Sequence, residues 1–322
     1  MHHPGALPRL LALATAAVAL AVPSASAEVR PPYDVPADDL AAAVQCDGHV
    51  RTSQRIPVLL VHGTGVTAEE NWGVGYRQSL LARGHAVCTV DVPDYAYGDV
   101  QTNVQYVAFA IRRVEHRAGR KISVVGHSQG AFLPLFALRV WPRLAAGIED
   151  FVGIAGVYDS GSDAITAECA SGVGCVPSFQ QMASGSNLLE HLARRELPVG
   201  PSYSTIGTDA DATVTPQPAA NQQPGAHSVQ IQDVCPGRHM PVPMDHVLMA
   251  GDAVMHALVL DALDHRGPAR VRRVDPATCS RLFFRGVDVP GFLLEAPQIA
   301  LRSGDPVTSE PPLRRWMRRA TS

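Results

Sequence analysis

The sequence predicts an α/β fold with a mainly parallel sheet and helices on both faces. Short apolar runs alternate along the chain with stretches whose apolar residues recur at helical spacing, as expected where strands and crossover helices alternate. One apolar run enters a helix through a tight, glycine-rich turn, which is the second indication. The third indication is the length of the chain. With 322 residues, 46% of them hydrophobic and 18% charged, it can form one α/β domain with a substantial core.

Six strands are predicted, and the first of them, at 56–61, is a continuous apolar run of the kind that is typical of strands buried on both faces. They occupy residues 56–61, 85–90, 122–125, 151–155, 201–206 and 228–234. Helices are predicted where apolar residues repeat every three to four positions or follow a capping residue, at 38–44, 71–83, 104–114, 130–140 and 247–263. Because helices separate most consecutive strands, the strands should pair mainly in parallel.

The N-terminal segment, residues 1–27, is predicted to be a secretory signal. Arg9 precedes an apolar run at 10–22, and the small residues at 25–27 form a cleavage site, which would leave Glu28 as the first mature residue. An uncleaved anchor is the less favoured alternative, because the apolar run is short for a membrane span.

The folded domain is predicted at 28–285, followed by a C-terminal extension at 286–322. The end of the extension, at 314–319, is basic and contains the apolar residues Trp316 and Met317. Contact with an anionic envelope surface is one interpretation of this pattern. A solvated, frayed terminus is the favoured one.

The charge and the cysteines restrict the class of protein. A formal net charge of −3 gives no indication of nucleic-acid binding. An even number of cysteines in an exported chain indicates disulfides, and a metal site is disfavoured because there is no Cys-x-x-Cys and no histidine at ligand spacing. Cys169 and Cys175 are close enough to close a local loop. The pattern itself leaves open how the six cysteines pair: Cys46, Cys88, Cys169, Cys175, Cys235 and Cys279.

The glycine-rich turn has the form Gly-x-Ser-x-Gly and lies between the strand at 122–125 and a helix. Gly126 and Gly130 allow strand and helix to approach closely, while Ser128 sits on the strained turn between them with its hydroxyl exposed. The helix N-terminus adds free N–H groups and a positive field beside the serine. A chance match is the alternative, and the flanking strand and helix disfavour it.

A second glycine turn, His62-Gly63-Thr64-Gly65, follows the first predicted strand. The glycines allow the backbone N–H of Thr64 to point at a ligand, and its hydroxyl offers a second donor. An ordinary turn is the alternative. Together with the serine turn, Thr64 becomes a candidate donor to an oxyanion.

A serine nucleophile needs an imidazole to take its proton and a carboxylate to orient that imidazole, here in the chain order serine, acid, histidine. Asp209 and Asp211 are both candidates for the acid, since they share the loop after the strand at 201–206. His239 and His246 are candidates for the base. The remaining late histidines are assigned to a strand start or to solvated helix faces: His227, His256 and His265.

From about residue 40 to residue 279 the chain resembles the family of Candida antarctica lipase B and its bacterial relatives. The motifs that carry this resemblance are residues 61–67, Asn71-Trp72, Gln101-Thr102-Asn103-Val104-Gln105-Tyr106, Ser128-Gln129-Gly130, Asp211 with Val214 and Pro216, and Asp245-His246. The resemblance implies an α/β-hydrolase fold with Ser128 as nucleophile, His246 as base and Asp211 as its orienting acid. It also implies an oxyanion hole made by the backbone and hydroxyl of Thr64 and the backbone N–H of Gln129.

The resemblance further implies disulfides Cys46–Cys88 and Cys235–Cys279, which leaves Cys169 with Cys175. Two positions depart from the yeast enzyme. His127 stands before the nucleophile in place of a tryptophan, and we expect it to form pocket wall, turned away from the base. Val157 stands near the position of an aspartate that lines the acyl pocket. Acyl and alcohol preferences therefore do not follow from the resemblance.

Together these features predict a secreted, extracellular serine esterase or lipase that hydrolyses acylglycerols or other lipid esters through an acyl-enzyme, without a cofactor or metal. Its expected partners are the ester substrate and a lipid–water interface, and a monomer is expected. An acyltransferase or polyester hydrolase with the same triad is one alternative, and a non-catalytic lipid-binding protein is another. The segment at 160–187, rich in glycine and serine, is either a flap over the site or a surface excursion.

Overall fold

The computed structural model of the protein describes residues 1, 2, 33–239, 245–291, 294 and 301–319. The chain divides into two compact units, Met1–Arg30 and Pro31–Ser322, and the elements described below belong to the second. The predicted signal segment at 1–27 lies outside the described residues, apart from its first two. Within the described residues, no helix is both long and apolar enough to cross a membrane.

The described residues form a seven-stranded sheet in the order β1-β3-β2-β4-β5-β6-β7. Only the β1–β3 pair is antiparallel, and the other five pairs are parallel, so the predicted fold class is confirmed. The strands are β1 Val44–Asp47, β2 Val58–Val61, β3 Val87–Val90, β4 Ile122–His127, β5 Ile148–Ile154, β6 Ser202–Gly207 and β7 His227–Gln230.

Helices cover both faces of this sheet. Alternate side chains of β2 lie in two different cores, so that Leu59 and Val61 pack with α4 and α5 while Val58 and Leu60 pack with α3 and α11. This double burial explains why β2 is apolar at every position. The described α-helices are α1 Ala37–Ala42, α2 Ala68–Trp72, α3 Tyr76–Ala82, α4 Val100–Ala118, α5 Gln129–Val140, α6 Asp163–Cys169, α7 Pro177–Met182, α8 Asn187–Ala193, α9 Ile231–Val234, α10 Asp245–Leu248, α11 Ala253–Asp264 and α12 Arg315–Arg319.

The single helix predicted at 71–83 is wrong, because the chain forms α2 and α3 with a break between them. The break lies where the backbone passes close to another side chain. A Cβ at Gly75 would lie 2.7 Å from the ring of Phe284, so this position accepts no side chain unless the ring moves.

Two later elements also differ from the prediction. The strand predicted at 228–234 ends at Gln230, where the side chains of Gln230 and Asp233 cap the short helix α9. The helix predicted at 247–263 is interrupted at Asp252, whose carboxylate accepts hydrogen bonds from the first N–H groups of α11 and so begins a new helix.

Strand β1 was not predicted. It is an edge strand with one buried residue and therefore lacks an apolar run. Its Cys46 lies directly opposite Cys88 of β3, and the two form a disulfide. All six cysteines lie in the described residues and form the pairs that the resemblance implies: Cys46–Cys88, Cys169–Cys175 and Cys235–Cys279.

The described part of the C-terminal extension packs against the domain. The ring centroid of Trp316 lies 5.6 Å from that of Trp141, and Met317 is fully buried. Further along, the carboxylate of Glu310 accepts the N–H groups at the start of α8. The expectation of a frayed, solvated terminus is therefore wrong for the basic end at 314–319. The segment at 160–187 carries α6, α7 and the start of α8, and its Cys175 pairs with the extension in a short antiparallel bridge.

One buried carboxyl of the sheet makes stability depend on pH. Asp150 of β5 is 4% exposed and accepts a hydrogen bond from the Ser123 hydroxyl at 3.0 Å. Burial raises the pKa of Asp150 to about 7, despite that hydrogen bond. Because the folded state favours the protonated form, its contribution is full below the ordinary pKa and is lost as the pH rises towards 7.

Asp150→Asn is therefore expected to stabilise the protein by roughly 2 to 4 kcal/mol at pH 8 and to change its stability little at pH 4. Urea unfolding across this pH range, with the disulfides intact, measures the difference. Glu149→Gln is the matched control, because Glu149 is the neighbouring carboxylate, part-exposed and 2.9 Å from Lys121, and its loss should change stability by less than about 1 kcal/mol. Parallel pH profiles for Asp150→Asn and wild type would contradict the assignment.

Candidate active site

The nucleophile candidate lies on a sharp turn between β4 and α5. Ser128 has a φ of +56°, a conformation that residues with side chains rarely adopt. A Cβ at Gly126 would lie 1.9 Å from the carbonyl oxygen of Gly130, and a Cβ at Gly130 would lie 2.2 Å from that of Val61. Both glycines are thus required by close backbone approach, as the Gly-x-Ser-x-Gly spacing predicts.

Ser128, His246 and Asp211 come together at the carboxyl ends of the strands. The Nε2 atom of His246 is 3.0 Å from the hydroxyl oxygen of Ser128, and its Nδ1 is 2.8 Å from a carboxylate oxygen of Asp211. The three side chains derive from a strand turn, a late helix and a loop, which are separated by 118 and 35 residues in sequence. This arrangement can remove a proton from the serine and hold it on the imidazole.

The electrostatics suit that task. Burial raises the pKa of Asp211, but the charge and hydrogen bond of His246 and the N–H groups of Val214 and Thr213 lower it by more, so the carboxylate is ionised. Burial lowers the pKa of His246, but the Asp211 carboxylate reverses this and leaves it above the ordinary value. Asp209, the other candidate acid, is exposed, and it is Asp211 that contacts the imidazole.

Thr64 faces a buried amide network beside the serine. Its hydroxyl oxygen accepts a hydrogen bond from the side-chain amide of Gln129 at 2.8 Å. The same amide donates to the carbonyl of Ala96, while its oxygen accepts from Asn103 at 3.0 Å. Because the Thr64 oxygen is an acceptor here, its own proton can be donated to a further group. The backbone N–H of Gln129 lies in the first turn of α5, where helical N–H groups have no intrahelical partner.

Comparison of the amino-acid sequence with known protein families identifies the family of this chain. The sequence model of the alpha/beta hydrolase family matches residues 58–320, which is most of the chain. The protein belongs to the alpha/beta hydrolase family.

Two known lipases are similar to this protein. Lipase B of Pseudozyma antarctica is 26% identical over 129 residues, which are 40% of this chain but only 38% of that protein. The crystal structure of Aspergillus fumigatus lipase B has a TM-score of 0.78 at 22% identity, and the match covers 90% of this chain and 74% of that one. At this identity the structural likeness shows the shared hydrolase fold.

His127 lies against His246, so the expectation that it is turned away from the candidate base is wrong. The centroids of the His127 and His246 rings are 5.3 Å apart, and Nε2 of His127 is 3.1 Å from the backbone carbonyl oxygen of His246. Burial, followed by the charge of His246, lowers the pKa of His127 to about 3, so the ring is neutral and carries one N–H. That proton has two acceptors within reach, the His246 carbonyl and the side-chain oxygen of Asn71 at 3.2 Å.

Two further residues hold the loop before Thr64. The side-chain oxygen of Asn71 accepts the N–H of Gly63 at 2.9 Å. His62 is fully buried, its Nδ1 lies 2.7 Å from the Gly63 carbonyl, and its Nε2 accepts the N–H of Val92. Both residues stand in motifs that the sequence analysis identified, but their roles depend on partners that spacing does not show.

The other candidate base, His239, and the late histidine His256 lie away from the serine. His239 is exposed, and it is His246 that reaches Ser128. The solvated position expected for His256 is wrong, because its ring stacks on Phe284 at 3.9 Å within the core and burial lowers its pKa to about 3. His256 also shares a hydrogen bond with Ser79 at 2.9 Å, which gives the buried ring a polar partner.

Proposed function

We propose that the protein is a secreted serine hydrolase that cleaves carboxylic esters through an acyl-enzyme at Ser128. The observation that carries this proposal is the continuous chain of contacts from the Ser128 hydroxyl to His246 at 3.0 Å and on to Asp211 at 2.8 Å. The position of Thr64 and of the Gln129 N–H beside the serine supports it, because an acyl transfer needs donors for the oxyanion that forms.

In the first half-reaction, the Ser128 oxygen attacks the ester carbonyl while Nε2 of His246 takes the hydroxyl proton. The carbonyl oxygen becomes an oxyanion, and the N–H and O–H of Thr64 with the N–H of Gln129 are its proposed donors. When the tetrahedral intermediate collapses, the bond to the alcohol oxygen breaks and His246 returns its proton to the leaving alcohol. The acyl group remains on Ser128.

In the second half-reaction, His246 takes a proton from water as the water oxygen attacks the acyl carbon. The same donors stabilise the second oxyanion. Collapse then breaks the bond to the Ser128 oxygen, which recovers its proton from the imidazole, and the carboxylic acid leaves. The ionised Asp211 stabilises the imidazolium in both halves and holds the imidazole in the tautomer with its proton on Nδ1.

Lipid esters are the substrate class that the relatives favour, because the two similar proteins are lipases by name. The match spans only 38% of Pseudozyma antarctica lipase B, so the substrate class is a proposal for this chain. Secretion is supported by the three disulfides, which persist in oxidising compartments.

The test is a series of nitrophenyl esters from acetate to palmitate, with wild-type protein and Ser128→Ala compared at each length. Serine-dependent turnover with a long-chain optimum supports a lipase, whereas a short-chain optimum supports a carboxylesterase. Addition of a competing alcohol separates hydrolysis from acyl transfer. Folded protein without turnover at any length would contradict the proposal and favour a binding role.

Loss of the Thr64 hydroxyl tests the oxyanion hole. Thr64→Val keeps the backbone N–H and the branched shape but removes the side-chain donor, so kcat should fall on the order of a hundredfold with KM little changed. Thr64→Ser is the matched control, since it keeps the hydroxyl and should stay within a few-fold of wild type. Equal kcat values for the two variants would remove the hydroxyl from the mechanism.

A further inference from the structure

A strained turn lies beside the oxyanion hole. Three consecutive residues with side chains, Asp94, Tyr95 and Ala96, have φ values of 53°, 52° and 59°. The left-handed conformation costs such residues roughly 1–2 kcal/mol each. A turn of this kind persists only where its surroundings hold it, and strain of this kind clusters at functional sites.

The strained turn is bonded to the loop that carries Thr64. The N–H of Gly65 donates to the carbonyl of Tyr95 at 2.8 Å, and the carbonyl of Ala96 accepts the Gln129 amide that also bonds Thr64. The turn therefore helps to hold the Thr64 loop and the side-chain amide of Gln129 in place beside Ser128.

Arg302, from the C-terminal extension, bridges the same turn and loop. Its guanidinium donates to the carbonyl of Gly65 at 3.1 Å, and its central carbon lies 4.3 Å from the centroid of the Tyr95 ring. It also forms a two-point ion pair with Glu70, whose carboxylate accepts the N–H of Thr67 on the same loop. The hydrogen bond from Arg302 is the main reason that the pKa of Glu70 falls to about 2, so this pair stays charged at neutral pH.

We propose that Arg302 is a positioning residue for the oxyanion hole, acting on Thr64 through Gly65 and the Tyr95 turn. This inference rests on the proposed serine-hydrolase function, because it concerns donors used only in that reaction. Without the guanidinium, the Gly65 carbonyl and the Tyr95 ring lose the group that joins them, and the Thr64 donors move relative to the oxyanion. A residue of the extension then positions the oxyanion hole from outside the domain predicted at 28–285.

The experiment compares Arg302→Gln with Arg314→Gln in the full-length chain. Arg314 is the matched control, because it also lies in the extension, pairs with Asp34 and Asp99, and has a similarly exposed side chain, 28% against 23% for Arg302. We expect Arg302→Gln to lower kcat about 10- to 100-fold, because the Thr64 donors are displaced from the oxyanion. KM should change less than about threefold. Arg314→Gln should affect thermal stability alone.

Two further measurements separate positioning from misfolding. Titration with a fluorophosphonate counts the competent Ser128 in each preparation, and kcat is expressed per titrated site. A boronic acid, which forms a tetrahedral adduct with the serine, should lose affinity for Arg302→Gln by about the factor lost in kcat.

Arg302→Lys should recover part of kcat, because it keeps the charge opposite Glu70. Glu70→Gln should reproduce part of the loss and add little to it in the double variant.

Equal kcat per site for the two arginine variants, or a loss confined to KM, would overturn the role of Arg302. A loss fully explained by fewer titrated sites would overturn it as well. Wild-type protein that neither hydrolyses the ester nor reacts at Ser128 would instead contradict the proposed function, and the role of Arg302 would be rejected with it.

Discussion

Ser128→Ala is expected to abolish ester hydrolysis, with kcat reduced by a factor on the order of 10⁶. Without the Ser128 oxygen, the His246 imidazole has no nucleophile to deprotonate, and no acyl-enzyme forms. Alanine keeps the Cβ of serine at the strained φ of +56°, so the turn between β4 and α5 should keep its shape. Initial rates on a nitrophenyl ester measure the loss, and mass spectrometry after fluorophosphonate treatment shows whether the adduct at position 128 disappears.

His246→Ala should cost about as much, and the double variant should lose little more, because the members of such a triad act as a unit. His116→Ala provides the control, since His116 is an exposed histidine of α4 and should keep wild-type kcat. Retained turnover in Ser128→Ala would remove Ser128 from the mechanism. A double variant far slower than either single variant would indicate that serine and histidine act independently.

The fold could be predicted largely from local pattern, because most strands are buried on both faces. A doubly buried strand such as β2 must be apolar at every position, which makes it visible in the sequence. Strand β1 was not predicted, because an edge strand does not need an apolar residue at every position. The division between α2 and α3 was not predicted either, because Gly75 is required by the ring of Phe284, a residue about two hundred positions away.

The candidate site was predictable only where its chemistry leaves a local motif. The glycines around Ser128 are fixed by backbone approach within a few residues, so the turn is recognisable from spacing. The contact of His127 with the His246 carbonyl and the amide network of Asn103 and Gln129 join distant segments. No spacing rule indicates such contacts, since each side chain would suit a solvated or core position equally well.

The choice of the acid shows the same limit at a single loop. Asp209 and Asp211 are two residues apart, and residue type and loop position fit both. In the folded chain Asp211 is 4% exposed and accepts the N–H groups of Thr213 and Val214 on one carboxylate oxygen, while the other faces His246. The closed turn at 211–214 thus fixes the carboxylate, and Asp209 is left at the surface.

Asp211→Asn is expected to lower kcat by about 10⁴. The amide can donate to Nδ1 of His246, which moves the imidazole proton to Nε2, where the Ser128 proton must be accepted. Asp209→Asn is the control and should stay within about twofold of wild type, because Asp209 is exposed. Steady-state kinetics of both variants on the same ester give the comparison, with thermal unfolding as a check on the fold.

The pH dependence provides an independent measurement of the same pair. Only neutral His246 can take the serine proton, so kcat/KM of the wild type should rise as pH increases through the pKa of that histidine. The Asp211 carboxylate raises that pKa. Asp211→Asn removes the charge and should move this rise to lower pH, while Asp209→Asn should leave it in place. A rise that stays in place in Asp211→Asn, or one that moves equally in both variants, would show that Asp211 is not the carboxylate that controls the base.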